Sequence, residues 1–328
     1  MTCALLTGAT GFVGANLVEA LSARGWRVRA LHRPTSSLKA LAGLTFEAAL
    51  GDVLDLDSLR RAMAGVDVVF HVAAVADYWR SDATHLMRVN VDGTRSVLQA
   101  ALERNVQRVV FTSSCAALGK PLFGHTLDER ATFNMKPTEF LYGYSKHVAE
   151  QVCHEFIAKG LDVVIVNPAV VIGPRDVNLI SGSLIVEIAR RGGLPILPPG
   201  GVSVIDVADV CAGHIAAAEQ GRTGERYILT SENLWYEQLF TEIAALLQVE
   251  PPRWRVPAPV LRLAGACVDW LRQRWNVKLP LNGEQVRFAA ETFWFDNRKA
   301  RTELGLQPAP VRVALQRAYD WFRAEGYL

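Results

Sequence analysis

The sequence predicts an α/β fold: a doubly wound parallel sheet followed by a smaller, mostly helical C-terminal lobe. Three observations predict it. Short β-branched or apolar runs alternate with longer helix-like segments through the first half. A glycine triplet, Gly8, Gly11 and Gly14, stands where the first such run passes into the first helix-like segment. After Pro168 the texture changes: Gly192, Gly193, Pro195, Pro198, Pro199, Gly200 and Gly201 break the chain, and segments such as EQLFTEIAALL, PVLRLAGACVDWL and PVRVALQRAYDWF follow with helical patterning.

Taken in order, the strands are CALLT (3–7), RVRALH (27–32), LTFEAAL (44–50), DVVFHV (67–72), RVVFTS (108–113) and LDVVIVN (161–167). Helices are predicted over 12–24, 55–64, 84–104 and 142–159. Strand and helix alternating in this way call for right-handed crossovers and a parallel sheet. Residues 1–170 form the predicted dinucleotide-binding domain, with 203–232 returning to it. Residues 171–202 and 233–328 form the substrate lobe, set against the carboxyl ends of the strands, where ligands of open α/β sheets bind.

In TGATGFVGANLVEAL the glycines allow a tight turn, close approach of the backbone to a pyrophosphate, and close packing of helix on strand. The helix N-terminus adds free N–H groups and a positive dipole end. Gly8, Thr10, Gly11, Phe12, Val13 and Gly14 are therefore the predicted phosphate loop of a Rossmann fold. At the end of the second strand an acid would favour NAD, whereas an arginine accommodates the 2′-phosphate of NADP. The sequence there is LHRPTSSLK, with Arg33 in place and no carboxylate; Lys39, Ser36 and Ser37 add donors. NADP(H) is expected over NAD(H).

The stretch YGYSK is a candidate for the chemistry, although a tyrosine and a lysine one turn apart are also common on exposed helix faces. Residues four apart share a helix face, so Tyr142 meets Lys146 while Tyr144 looks elsewhere. A phenol ionises near pH 10, and a neighbouring cation is expected to bring it toward the working range, making Tyr142 a general acid or base. Upstream, RVVFTSSCAALG ends a strand in Ser113 and Ser114. Alternation sends only one of the two toward the cleft, and Ser114 is the favoured register, with Ser113 open.

TGATGFVG, FHVAA, VNVDGT, FTSS, YGYSK and NPAVVIGP stand in the order and spacing of the extended short-chain dehydrogenase/reductases, which this chain resembles over nearly its whole length. The resemblance implies Tyr142 as proton donor or acceptor, Lys146 holding the nicotinamide ribose and Ser114 bonding the substrate oxygen. It further implies Asn90 as a supporting residue, Asp52 and Val53 as adenine contacts, Ala73 and Ala74 as the cofactor-lining loop, and Pro168 beside the nicotinamide. A homodimer paired through the helices over 84–104 and 142–159 is implied as well.

Two branches of that family compete. One resembles dihydroflavonol 4-reductase, cinnamoyl-CoA reductase and 3β-hydroxysteroid dehydrogenase, which act on bulky, largely apolar ketones or alcohols. The other comprises nucleotide-sugar epimerases and dehydratases, including a group labelled hopanoid-associated sugar epimerase. Those enzymes place an arginine near the nucleotide where this chain reads PPGGVSVIDVADV, with Val202, Ser203 and Val204. A diphosphate without a positive partner fits a partly dry pocket poorly. Trp235, Trp254, Trp270, Trp275 and Trp294 are available to line an apolar cavity, though each is a candidate for the core as well. The reductase reading is preferred. A non-catalytic NADP-binding regulator is the third reading, opposed by the intact Ser114, Tyr142 and Lys146.

Composition narrows the rest. The 328 residues are 50% hydrophobic and 21% charged with a net charge of +2, and no Lys/Arg run points to nucleic acid. Five cysteines, an odd number without a CxxC pair, fit reduced thiols. The opening MTCALLTGATG lacks the pattern of a signal peptide, so a cytoplasmic protein is expected. No transmembrane segment is expected. VPAPVLRLAGACVDWLRQRW, Val256 to Trp275, is interrupted by Arg262, Asp269, Arg272 and Arg274; it reads as a helix packed on the core, with contact to a membrane surface as the alternative. The seven histidines show no ligand spacing, and no metal site is predicted.

Overall fold

The computed structural model describes residues 1–77, 81–193, 196–275 and 282–328. Pro195 and the Arg272 side chain lie outside the described residues. The chain opens with β1 (Cys3–Thr7), α1 (Phe12–Ala23), β2 (Arg27–His32), β3 (Glu47–Leu50), α2 (Leu56–Ala62) and β4 (Val68–His71). Then come α3 (Ala83–Met87), a π-helical turn (Arg88–Asp92), α4 (Gly93–Glu103), β5 (Arg108–Thr112), β6 (Thr126–Leu127), α5 (Leu141–Ile157) and β7 (Val163–Pro168). The second half holds β8 (Val170–Ile172), α6 (Ser183–Arg191), β9 (Ile196–Leu197), β10 (Gly201–Asp206), α7 (Val207–Gln220), β11 (Arg226–Leu229), β12 (Glu232–Trp235) and α8 (Tyr236–Leu247). β13 (Trp254–Arg255), α9 (Ala258–Trp275), α10 (Gly283–Phe288), β14 (Thr292–Phe295), α11 (Arg298–Glu303) and α12 (Val311–Ala324) complete it.

Seven parallel strands in the order β11-β7-β5-β4-β1-β2-β3 make the large sheet. The order reverses between β1 and β4, and a crevice opens at such a switch point. All of β1 is buried, and its side chains alternate between two cores. Ala4 and Leu6 pack toward α1 and α7 with Leu17, Leu21 and Ile215; Cys3 and Leu5 pack toward α2, α4 and α5 with Leu59, Val97 and Phe156. Each large side chain so buried contributes about 1.5–3 kcal/mol, which makes this sheet the rigid base of the site.

The C-terminal lobe is helical but not wholly so. A second, five-stranded sheet runs β12-β10-β14-β6, with β8 beside β10. Its core joins Ile185, Ile188, Val204, Phe240, Leu315 and Phe322 from α6, β10, α8 and α12. The segment Val207–Gln220 returns to pack on α1 and β7, and β11 adds the last strand of the large sheet beside β7.

Candidate active site

The glycine loop is shaped by contacts that leave no room for side chains. Gly8 has φ +70°, and a Cβ there would lie 2.6 Å from Ala73 N; at Gly14 it would lie 2.1 Å from Gly8 O. The first turn thus touches the loop after β4 and the start of α1 lies flat on it. Gly11 caps α1 in extended conformation with no side-chain cap, and no acid stands in the first turn. The N–H groups that open a helix lack intrahelical partners, so this end of α1 is shaped for an anion. A dinucleotide pyrophosphate fits it.

A buried chain of hydrogen bonds ties this loop to the next helices. Ala73 N donates to Thr7 Oγ1 (3.3 Å), whose hydroxyl meets His71 Nδ1 (2.7 Å); His71 Nε2 meets Thr94 Oγ1 (3.0 Å), and Thr94 donates to Asn90 O (2.7 Å). Each hydroxyl has one proton, so the chain closes only with the imidazole proton on Nε2. Burial, reinforced by the Lys146 charge, pushes the His71 pKa down to about 3 and keeps the ring neutral. Asn90 sits in the π-helical turn. Its Oδ1 accepts from Val75 N (2.8 Å), and its Nδ2 donates to Val75 O (3.3 Å) and Ser145 Oγ (3.0 Å). It clamps the loop after β4 against α5 and so acts on the site through its neighbours.

The two serines point opposite ways. Ser113 is buried and donates to Glu150 Oε1 (2.5 Å); Ser114 accepts from Ala116 N (3.2 Å) and stands close enough to the Tyr142 hydroxyl to lower its pKa. Behind them Glu150 also accepts from Asn167 Nδ2 (2.7 Å) and pairs with Arg226 (3.2 Å), while Asn167 Nδ2 holds Ser114 O (3.0 Å). This polar bracket fixes the peptide that carries Ser114. Glu150 follows Lys146 by one turn of α5, a spacing visible in the sequence; Arg226 lies on β11, far away in the chain, and nothing local announces it.

The expected lowering of the tyrosine pKa is not what the structure gives. Tyr142 is pushed up to about 12, chiefly by burial, with the neighbouring Ser114 hydroxyl opposing. Lys146 is buried, and desolvation pushes it down to about 8. Its Nζ donates to Thr112 O (2.8 Å) and lies 5.1 Å from the centre of the Phe111 ring. Desolvation dominates here, so the phenol keeps its proton at neutral pH. Tyr144 turns toward Phe133, with ring centres 6.1 Å apart.

The remaining predicted residues line the carboxyl edge of the sheet, with one exception. Ala73 and Ala74 follow β4, and Pro168 ends β7 and is buried. Asp52 follows β3 and caps the next turn through Leu54 N (2.9 Å); Val53 is packed against Gly93. Arg33 follows β2 and is exposed, and among the described residues its guanidinium takes no recorded partner. Beside it His32 Nε2 is buried without a hydrogen-bond partner. Lys39 is the exception. It projects from a short 3₁₀ turn whose Ala40 and Leu41 are buried, and its ammonium meets Tyr327 Oη (3.3 Å) and Glu325 (3.8 Å), so it faces the C-terminal segment.

Aromatic rings continue from Tyr142 into the lobe. Phe140 lies 6.2 Å from Tyr142 and 4.9 Å from Phe288, and Phe288 lies 5.0 Å from Phe293. Sequence reasoning passed over these phenylalanines and named tryptophans. Trp254, Trp270 and Trp275 are exposed, and Trp235 and Trp294 pack edge to face, 4.5 Å apart. On β10, Val204 is fully buried and Ser203 bonds Asn233 and Phe295 N, so no cation enters from that strand.

Comparison with known proteins identifies the family and the fold. The model of the NAD dependent epimerase/dehydratase family matches residues 4–229. The chain is 36% identical to a putative dihydroflavonol 4-reductase of Synechocystis sp. over 337 residues, covering 99% of this chain and 96% of the relative. It is 36% identical over 327 residues to sterol demethylase protein B of Methylococcus capsulatus, covering 99% of each. Among solved structures, a nucleoside-diphosphate-sugar epimerase from Pseudomonas aeruginosa superposes with a TM-score of 0.83 at 28% identity, covering 100% of this chain and 99% of that one. The chain belongs to the NAD dependent epimerase/dehydratase family, within the extended short-chain dehydrogenase/reductases.

Proposed function

We propose that this chain is an NADP-dependent oxidoreductase that interconverts a carbonyl and an alcohol on a bulky, largely apolar substrate. The observation that carries the reading is the placing of Ser114 beside the Tyr142 hydroxyl, one helical turn from buried Lys146 and next to the ring series Phe140, Phe288 and Phe293. Bound NADP(H) supplies or accepts the hydride. Ser114 and Tyr142 hydroxyls hold the substrate oxygen. In reduction Tyr142 passes its proton to the developing alkoxide, a role suited to a phenol that is protonated at neutral pH. In oxidation the same oxygen takes the proton back. Lys146, largely charged at pH 7, stabilises the phenolate as it forms and holds the nicotinamide ribose.

The open end of α1 with Gly8, Gly11 and Gly14 supports cofactor binding, and exposed Arg33 supports preference for the 2′-phosphate; Lys39 is withdrawn from that role. Asp52, Val53, Ala73, Ala74 and Pro168 are assigned the remaining cofactor contacts, a reading supported by their positions after β3, after β4 and at the end of β7. Segments 171–202 and 233–328 are assigned to the substrate, residues 1–170 with 203–232 to the cofactor. We assign the working form to a cytoplasmic homodimer paired through α4 and α5.

A nucleotide-sugar epimerase is the second reading, favoured by the likeness to the Pseudomonas enzyme. The absence of a cation along Gly201–Asp206 opposes it. Incubating the purified protein with NADPH and a panel of apolar ketones and aldehydes beside UDP- and GDP-sugars separates the two. NADPH consumption with an apolar carbonyl supports the reductase. Conversion of a sugar nucleotide without net cofactor loss overturns it.

A further inference from the structure

Helix α9 is anchored on one side only. Leu261 is buried, Gly265 abuts Gly283 O and Arg287, and Asp269 accepts from Gly283 N (3.0 Å) and pairs with Arg287 (2.6 Å). These three residues, four apart, make one face, and it packs on α10. The opposite face carries Val260, Leu263, Cys267 and Trp270 at intervals of three, four and three, all exposed, Leu263 at 68% and Trp270 at 56%. Trp275 extends the stripe: its ring lies 5.2 Å from that of Trp270, and it is 59% exposed. A helix at a protein surface turns its apolar stripe inward. Here a partly exposed ion pair lies on the packed side and the apolar stripe faces out, so core packing does not account for it.

Charge selects the occupant. The one acid on α9, Asp269, is turned inward onto Arg287, whereas Arg262 and Arg274 are exposed and Arg253 and Arg255 precede the helix. Among the described residues Arg262 pairs with the largely buried Glu291, which also meets Lys120, while Arg253 and Arg255 have exposed partners in Glu250 and Glu237; the two exposed pairs are weak and exchange readily. In a two-fold pairing of this face with itself, arginines would meet a surface without exposed carboxylates on the helix. Tryptophans and arginines around an apolar stripe, with no exposed acid on the helix, suit the headgroup region of a bilayer.

We infer that the outer face of α9 docks on a membrane surface containing anionic lipid. No helix among the described residues is long and apolar enough to cross a membrane, so the contact is peripheral. Because α9 packs on α10, and Phe288 of α10 reaches Phe140 beside Tyr142, docking sets the aromatic end of the cleft near the lipid. That last consequence rests on the proposed apolar substrate; the docking itself does not.

The test is flotation of the full chain with vesicles of equal phosphatidylcholine and phosphatidylglycerol, and with phosphatidylcholine alone, using brominated lipid to quench tryptophan. The wild type should float with the anionic vesicles, show quenching, and release at high salt. Leu263→Glu and Trp270→Glu should each weaken binding roughly tenfold while NADPH binding, read by its fluorescence, is unchanged. No flotation, or flotation equal in the variants, overturns the inference. A dimer broken by Leu263→Glu in a protein that never floats overturns it too, and gives the face to a second copy.

Discussion

Replacing His71 should remove a large part of the acid sensitivity of folding. His71 is fully buried, and burial holds its pKa near 3 against an ordinary 6.5. Between those values the unfolded chain binds a proton that the native state refuses, so stability rises with pH and is lost as pH falls below 6.5. Between pH 7 and pH 5 the loss is about 2 kcal/mol from His71 alone. His214, also buried and pushed down to about 4, adds a similar loss. Together they remove a large share of the 5–15 kcal/mol typical of a folded chain. Urea midpoints of the wild type and His71→Gln at the two pH values give the difference directly. Carboxylates titrate alike in both proteins, so the variant's pH-dependent loss should be smaller by about 2 kcal/mol. An equal loss in the two proteins would refute the neutral, buried imidazole and the hydrogen-bond chain built on it.

Gly14→Ala puts a Cβ within 2.1 Å of Gly8 O and 2.8 Å of Ala9 Cα, both backbone, so α1 must lift; thermal unfolding should report a loss on the order of 3 kcal/mol, with weaker NADPH binding. Arg226→Met strands the buried Glu150 carboxylate and should cost about 3–5 kcal/mol; adding Glu150→Gln should recover part of it in the same assay. Arg33→Asp should reduce the NADP over NAD preference in kcat/KM by roughly tenfold or more, the worth of one charged hydrogen bond, and an unchanged preference would remove Arg33 from the site.

Much of the large sheet was legible because local pattern and tertiary role coincide. CALLT and RVRALH form strands over their predicted spans, being apolar runs that a parallel sheet covers on both faces. LTFEAAL pairs only over Glu47–Leu50, since Leu44 and Phe46 pack into the core beside α1 instead. The helix expected over 84–104 is interrupted by a π turn that aims Asn90 inward, and the apolar spacing carries no sign of it. The second sheet was missed because most of its strands are two to four residues long and paired with distant segments. At the site, helix spacing put Tyr142 and Lys146 one turn apart on α5, while alternation predicted only that one of the two serines faces the cleft and left Ser113 open. The tyrosine pKa was misjudged because spacing reports neighbours and not burial, and burial dominates both groups. Phe288, Phe293 and Arg226 come to the site only through the fold.

The most direct test of the central claim is NADPH turnover on an apolar carbonyl by Tyr142→Phe, measured beside an NADPH fluorescence titration of the same variant. The account predicts turnover lowered about 10²- to 10⁴-fold with cofactor affinity retained, as removal of a positioned general acid requires. Turnover at the wild-type level would contradict it and take the proton transfer away from Tyr142.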